Sequence, residues 1–206
     1  MDLIPKKTPQ FIAYLSGVAG GGKSFVLEIA CDIVKMLYGH KYGALKLAPT
    51  GIAAIACGGN VVDRLMKINR NAKDFKKLKR SSQDLTKRQN LFQHTKMHLI
   101  DEFSMWGSKI LGHYSGRCNE IFNNGKFDGS DEGQLFGGVP MVIFTGDMKQ
   151  LQPVKDTAPY GVLQEGATAL QSVGKLVYES INQYFILDKS MRQVADTEFV
   201  QMLQEA

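Results

Sequence analysis

Lys23 and Ser24 end the run Gly17 to Ser24, GVAGGGKS, in which Gly17, Gly20, Gly21 and Gly22 leave the backbone bare. Residue types in that order suit a polyphosphate. Glycines let a loop curl until its N–H groups point inward at phosphate oxygens, and a helix starting near Lys23 adds the positive end of its dipole. The Lys23 ammonium is then expected at the β- and γ-phosphates. The Ser24 hydroxyl is expected on a magnesium ion bridging them, since a hard cation takes oxygen ligands. Further along, Asp101 and Glu102 stand together after the apolar run Met97 to Ile100. Two carboxylates at a strand end fit the other half of the same chemistry: Asp101 holds the magnesium, and Glu102 orients or deprotonates an attacking water. The plain alternatives are a glycine-rich turn capping an ordinary helix and an accidental pair of acids. The strand and helix patterns that flank the glycines favour the phosphate site.

Such groups need elements that hold them. Phe11 to Ser16 reads as a first strand, apolar throughout as a central parallel strand is. After the glycines, Val26, Ile29, Ala30, Ile33, Val34 and Leu37 recur at helical spacing and predict an apolar helix face, with the helix ending near Gly39. Ala44 to Ala48 is a second strand, which completes a strand, helix, strand unit. Pro49-Thr50-Gly51 breaks it, and the small apolar run Ile52 to Cys57 predicts a short helix packed closely on the sheet. Ligands of open α/β sheets bind beyond the carboxyl ends of the strands. Thr50 and the Gly51 N–H are therefore placed to hold a phosphate, of the nucleotide or of a nucleic-acid backbone. Taken alone, Pro-Thr-Gly reads first as a turn and helix cap.

The remaining elements follow the same alternation. Asn60 to Lys96 is expected to be helical in pieces, and from Asn69 onward nine Lys and Arg stand against two Asp in a chain whose net charge is +5. That concentration points to an anionic polymer as partner, or to a merely solvated helix face. Ser108 to Phe122 predicts a helix with Ile110, Leu111, Tyr114, Cys118, Ile121 and Phe122 inward. Asn123 to Gly138 reads as a surface loop, Met141 to Thr145 as a buried strand, Gln164 to Asn182 as a helix broken at Gly174, and Tyr184 to Leu187 as a last strand. Gln150, just past Met141 to Thr145, is placed to feel a γ-phosphate. Arg192, past the last strand, would supply charge to a transferring phosphoryl group or form a surface salt bridge. Met1 to Gln10 is an extended lead-in, and Thr197 to Ala206 is again a helical pattern.

With 206 residues, 44% of them apolar, the chain suits one large globular domain, or one domain with a small insertion. No apolar run approaches a membrane span, and the first ten residues lack the core of a secretory signal, so a soluble intracellular protein with no membrane partner is expected. Cys31, Cys57 and Cys118 match no metal or redox spacing and read as reduced core residues. His94 and His98 stand four apart, but His98 lies in the apolar approach to Asp101, where a strand is expected rather than a metal site.

Taken together, GVAGGGKS, LAPTGIAA (Leu47 to Ala54), LIDEFSM (Leu99 to Met105), FTGDMKQLQPV (Phe144 to Val154) and SMRQ (Ser190 to Gln193) resemble a family set. In order and spacing they are similar to the motor motifs of the superfamily-one PIF-type ATP-dependent DNA helicases, and the last two blocks to the branch carried by Helitron transposons. The resemblance implies an α/β P-loop NTPase of RecA-like fold, a three-layer sandwich about a mainly parallel sheet of about five strands. It makes residues 1–206 a first motor lobe, with 60–96 a basic insertion or small subdomain and the second lobe absent. By the same resemblance Gly17, Gly20, Gly21, Gly22, Lys23 and Ser24 bind ATP, Ser24 and Asp101 bind Mg2+, and Glu102 is the catalytic base. Gln150 couples the γ-phosphate to movement, Arg192 contacts phosphate, and Pro49, Thr50 and Gly51 touch single-stranded DNA. Three departures stand out. Val62-Asp63-Arg64-Leu65 replaces the family's His-Ser-aromatic cluster, the helix carrying an adenine-reading glutamine is missing before the first strand, and nothing after Arg192 matches a second lobe. Gln10 lies too near the cradle to take the glutamine's role.

The expected function is ATP-driven travel on single-stranded DNA with duplex unwinding. The family implies 5′-to-3′ polarity, service in DNA repair and recombination, and a nuclear or mitochondrial setting in a eukaryote. One lobe cannot walk, so weak nucleotide binding and slow hydrolysis are expected of this chain alone, and a second lobe in a longer chain. The rivals are a non-unwinding P-loop ATPase that switches protein partners and a degenerate binding module without turnover.

Overall fold

Strand pairing organises the computed structural model, which describes residues 10–18, 20–39, 43–72, 74–78, 83–122 and 135–189. Strands β1 (Phe11–Gly17), β2 (Ala44–Ala48), β3 (Asn60–Val61), β4 (Met97–Ile100), β5 (Met141–Gly146) and β6 (Gln183–Leu187) form one sheet in the order β3-β2-β4-β5-β1-β6, every pair parallel. The α/β reading therefore holds, with six strands among the described residues in place of about five. The extra one, β3, pairs Asn60 with Leu47 and Val61 with Ala48, and two residues carry no periodicity from which a strand is legible. Strand β1 lies between β5 and β6 in strict register, from Phe11 opposite Met141 to Ser16 opposite Gly146.

Helices cover both faces: α1 (Lys23–Tyr38), α2 (Gly51–Ala56), α3 (Val62–Met66), α4 (Gln83–Phe92), α5 (Ser108–Phe122) and α6 (Ala169–Glu179). The larger core joins Ile12, Tyr14, Leu47, Ile100 and Phe144 of the sheet to Trp106, Leu111, Tyr114 and Val177. Helix α5 is buried almost all round, and Ile110, Leu111, Tyr114, Cys118 and Ile121 point inward as their spacing predicts. It meets α6 at backbone distance. A Cβ on Gly112 would stand 2.1 Å from the Leu170 carbonyl oxygen, and one on Gly174 would stand 1.8 Å from that of Ser108. Gly174 thus marks a close approach and not a break: α6 runs unbroken through it, and begins only at Ala169, where Thr168 and Gln171 form a reciprocal capping box.

The smaller core lies under α1 and corrects part of the expected helix face, keeping Val34 and Ala30. Leu27, Cys31 and Val34 meet Leu15, Met97 and Leu99, whereas Val26, Ile29, Ile33 and Leu37 are exposed. The helix is apolar on two sides, and periodicity alone does not say which side meets a sheet. Helix α2 also departs from expectation, since only Ala54 is buried and Ile52 and Ile55 are more than 80% exposed.

Residues 60–96 do fold in helical pieces, α3 and α4, and they place Val62, Met66, Leu85 and Phe92 in the larger core. The link between the helices is fastened to α5 by a buried ion pair. Arg117 donates to the carbonyls of Met66 (2.9 Å) and Lys76 (3.1 Å), Glu120 pairs with Arg117, and Glu120 also accepts from the Leu78 N–H at 2.6 Å. His98 is a strand residue, fully buried on β4, with 2.6 Å between its Nδ1 and the Tyr114 hydroxyl. Cys31, Cys57 and Cys118 are free thiols. Among the described residues, no helix is long and apolar enough to cross a membrane. Of the expected Asn123 to Gly138 loop, 136–138 form a 3-10 turn with Phe136 buried. Residues 123–134, the Met1 to Pro9 part of the lead-in, and the Thr197 to Ala206 pattern lie outside the described residues.

Candidate functional site

Because the strands are parallel, their carboxyl ends share one edge, and the turns after β1, β2, β4, β5 and β6 emerge there side by side. The turn after β1 is the glycine cradle. Gly22 caps α1 at φ +88°, a conformation that strains any residue with a Cβ, and accepts from the Val26 N–H at 3.1 Å. Gly20 is also left-handed, and the Gly21 N–H closes the turn on the Val18 carbonyl at 3.0 Å. Gly17 faces the neighbouring strand so closely that a Cβ would stand 3.0 Å from the Leu187 carbonyl oxygen. The Lys23 ammonium folds over this loop and donates to the carbonyls of Gly17 (2.6 Å) and Val18 (3.1 Å). Its charge therefore sits on the cradle.

Asp101 and Glu102 follow β4. The Asp101 N–H donates to the Leu47 carbonyl at 2.8 Å, its carbonyl accepts from the Trp106 indole at 3.1 Å, and its carboxylate accepts from the Glu102 N–H at 2.9 Å. Burial pushes the Asp101 carboxyl above its usual range, opposed by the Glu102 hydrogen bond and by the charges of Lys23 and Lys46. Glu102 is held at φ 52°, ψ 48°, left-handed for a residue that seldom adopts it. Its own carboxyl is pushed up by burial first and by the Asp101 charge second, with Lys23 pulling it down. Ser24 and Asp101 line one small cavity together with Glu28, Lys46 and Cys57. A hydroxyl and a desolvated carboxylate are the hard oxygen donors that magnesium takes when water and phosphate fill its remaining positions. Among the described residues there is no group of three His, Cys, Asp or Glu able to hold a metal by themselves.

Gln150 and the Pro49–Gly51 turn lie along the same edge. Gln150 is exposed in the turn after β5, its N–H donating to the Asp147 carbonyl at 3.0 Å. Pro49, Thr50 and Gly51 follow β2. The Thr50 side chain accepts from the Ala53 N–H at 3.2 Å, so the cap is formed. Gly51 opens onto a groove of about 470 Å³ between α2 and α3, whose walls include Ala54, Ile55, Asn60, Val61 and Arg64. Arg192 lies outside the described residues, as does Ala19 of the cradle. Gln10 spends both ends of its amide on the 135–139 turn, donating to the carbonyls of Leu135 (2.7 Å) and Val139 (2.9 Å) and accepting from the Leu135 N–H (2.8 Å).

Two charged residues acquire individual roles only from the fold. Lys46 lines the cavity of Ser24 and Asp101, and a lone cation inside the apolar run Ala44 to Ala48 was the available signal. Arg70 donates to the Pro49 carbonyl at 2.9 Å, and nothing separates it by eye from the other cations of its stretch.

Residues 1–205 match the family described as PIF1-like helicase. Among individual proteins, the chain is similar to the ATP-dependent DNA helicase PIF1 of Saccharomyces cerevisiae, at 29% identity over 92% of this chain and 20% of that protein. It is 30% identical to PIF1 of Candida albicans over 92% of this chain and 20% of that protein. The ATP-dependent DNA helicase RRM3 of S. cerevisiae is 29% identical over 80% of this chain and 21% of that protein. The chain thus spans about a fifth of the length of these relatives. A Bacteroides Pif1 helicase in complex with ADP-AlF3 and single-stranded DNA shares the fold, with TM-score 0.66 and 23% identity over 97% of this chain and 43% of that one. So does Pif1 of Candida albicans, with TM-score 0.64 and 24% identity over 94% of this chain and 40% of that one.

Proposed function

Because the chain belongs to the PIF1-like helicase family, we propose that it is the first motor lobe of an ATP-dependent DNA helicase. The motor couples ATP hydrolysis to 5′-to-3′ travel on single-stranded DNA and to duplex unwinding, at the genome of the cell, nuclear or mitochondrial in a eukaryote. The observation that carries this reading is the shared sheet edge: the cradle with its lysine, the paired acids and the Thr50–Gly51 turn all stand at the carboxyl ends of parallel strands. Gly17, Gly20, Gly21 and Gly22 turn backbone N–H groups toward the phosphates of ATP. Lys23 exchanges its two carbonyl acceptors for β- and γ-phosphate oxygens. Ser24 and Asp101 hold Mg2+, which supplies positive charge to the same oxygens. Glu102 takes a proton from the attacking water, a task helped by a carboxyl that burial makes more basic than an ordinary glutamate. Gln150 reports the γ-phosphate, and Arg192 adds charge to the transferring group. Pro49, Thr50 and Gly51 face the phosphates of the strand, and the exposed Lys76 and Lys77 add non-specific attraction. The second lobe, in a longer chain or a partner, completes the motor.

Titration with a fluorescent ATP analogue and with labelled single-stranded DNA tests the proposal. Magnesium-dependent uptake that is lost in Lys23→Met, together with salt-sensitive strand binding weakened by Lys76→Glu/Lys77→Glu, is the expected result. Nucleotide uptake with no strand binding would transfer the chain to the rival class of nucleotide switches for protein partners.

A further inference from the structure

The turn that this proposal sets against DNA is braced from behind. Arg70, in the link after α3, pairs through Nε with the Asp63 carboxylate and donates from Nη2 to the Pro49 carbonyl at 2.9 Å. Pro49 leads directly into Thr50, whose side chain caps α2, and Gly51, which opens the groove. On both sides of Arg70 the chain is anchored to α5: Arg117 donates to the Met66 and Lys76 carbonyls, and Glu120, like Arg117 less than 5% exposed, accepts from the Leu78 N–H. Hydrogen bonds from the buried helix α5 thus hold the chain on both sides of Arg70, and Arg70 in turn holds the carbonyl just before Thr50.

We infer that Arg70 and Asp63 are positioning residues, a strut that fixes Pro49 and so aims the Thr50 hydroxyl and Gly51 N–H at a strand phosphate. The inference rests on the strand-contact reading of Thr50 and Gly51. It differs from two simpler possibilities. In one, Arg70, whose side chain is 45% exposed, touches DNA phosphate itself; in the other, the pair is a surface salt bridge without consequence.

The sign of the Asp63 effect separates them. Asp63→Asn removes a negative charge beside the proposed DNA path, so electrostatics alone tightens binding, whereas loss of the strut weakens it, by roughly threefold to tenfold. Arg70→Gln should weaken binding by a similar factor and leave the slope of log K against log salt unchanged. A direct phosphate contact would instead reduce that slope by about 0.7. The double variant should lose no more than either single one, because both remove the same strut. In the chain without DNA, hydrogen exchange at the Ala53 and Ala54 amides, which bond to Thr50, should speed up in each variant while fluorescent ATP binding stays at the parent level.

Tighter or unchanged strand binding by Asp63→Asn, or a lowered salt slope in Arg70→Gln, overturns the strut. Unchanged exchange at Ala53 alongside intact strand binding overturns it as well. Absence of strand binding by the parent chain instead overturns the underlying reading of Thr50 and removes any role for the strut in DNA contact.

Discussion

The roles proposed for Lys23 and Glu102 differ, and the two are separable at the bench. The Lys23 ammonium is held on the cradle by two carbonyls, so Lys23→Met removes the charge that meets the phosphates and should weaken magnesium-ATP binding by about a hundredfold in a fluorescence titration. Glu102→Gln keeps the side chain's shape and removes its charge and basic oxygen. Nucleotide affinity should stay near the parent value, and phosphate release should fall by roughly a hundredfold to ten-thousandfold. Equal release rates for the two proteins would mark the chain as an inert binding module. The pH dependence has a definite sign. Burial and Asp101 raise the Glu102 carboxyl, so the base becomes protonated at a higher pH than a free glutamate, near 4.3, and hydrolysis should begin to fall above that value as the solution is acidified. For stability these two acids act the other way. Their raised values mean that the folded state binds more protons, so their contribution falls as pH rises from the ordinary carboxylate range through the folded values.

At the scale of elements, α5 is the member on which the other layers depend, and two substitutions probe its seating. Gly174→Ala drives a methyl into the Ser108 carbonyl and should cost about 3 kcal/mol in denaturant unfolding. Gly39→Ala, at φ +61° with open space around it, should cost only about 1 kcal/mol. Strand β4 offers a pH test of opposite sign to the acids. Burial lowers the His98 imidazole from 6.5 to about 3, so the unfolded chain takes up a proton that the folded chain refuses. Stability on this account is complete above pH 6.5 and is lost as pH falls toward 3, about 2 kcal/mol by pH 5. In His98→Phe the loss between pH 7 and pH 5 should shrink by that amount, whatever the variant's absolute stability. The same elements show how far a sequence speaks. The boundaries of β1, β4, β5 and α5 were legible because a buried strand is apolar throughout and a buried helix repeats its apolar residues. The buried side of α1 was not, because two apolar stripes compete and only the sheet below decides between Leu27–Cys31–Val34 and Val26–Ile29–Ile33. Cradle and acids announced themselves through residue types that few other structures need. Arg70 and Lys46 matter through neighbours distant in sequence, and no local pattern marks them.

For the whole molecule, the decisive quantity is how much of a motor one lobe supplies. Among the described residues, the groups proposed for phosphate and metal, and for strand contact at Thr50 and Gly51, stand on one edge of one sheet, and the proposed motor would close a second lobe over that edge when ATP binds and reopen it after hydrolysis. On the proposed assignment, a lobe left uncovered would meet the β- and γ-phosphates with Lys23, Ser24 and Asp101 from one side and leave water on the other, which would weaken every charge interaction at the site. Grip on a strand also has nothing to alternate with. The 206-residue chain should therefore bind the fluorescent analogue weakly, hydrolyse ATP slowly with little response to single-stranded DNA, and displace no duplex strand. A chain extended through a second lobe should restore DNA-stimulated hydrolysis and unwinding together, since both depend on the same closure. Steady, DNA-stimulated turnover by the 206 residues alone would show that this edge is complete without a covering lobe, and that ATP hydrolysis and strand contact are coupled within a single sheet.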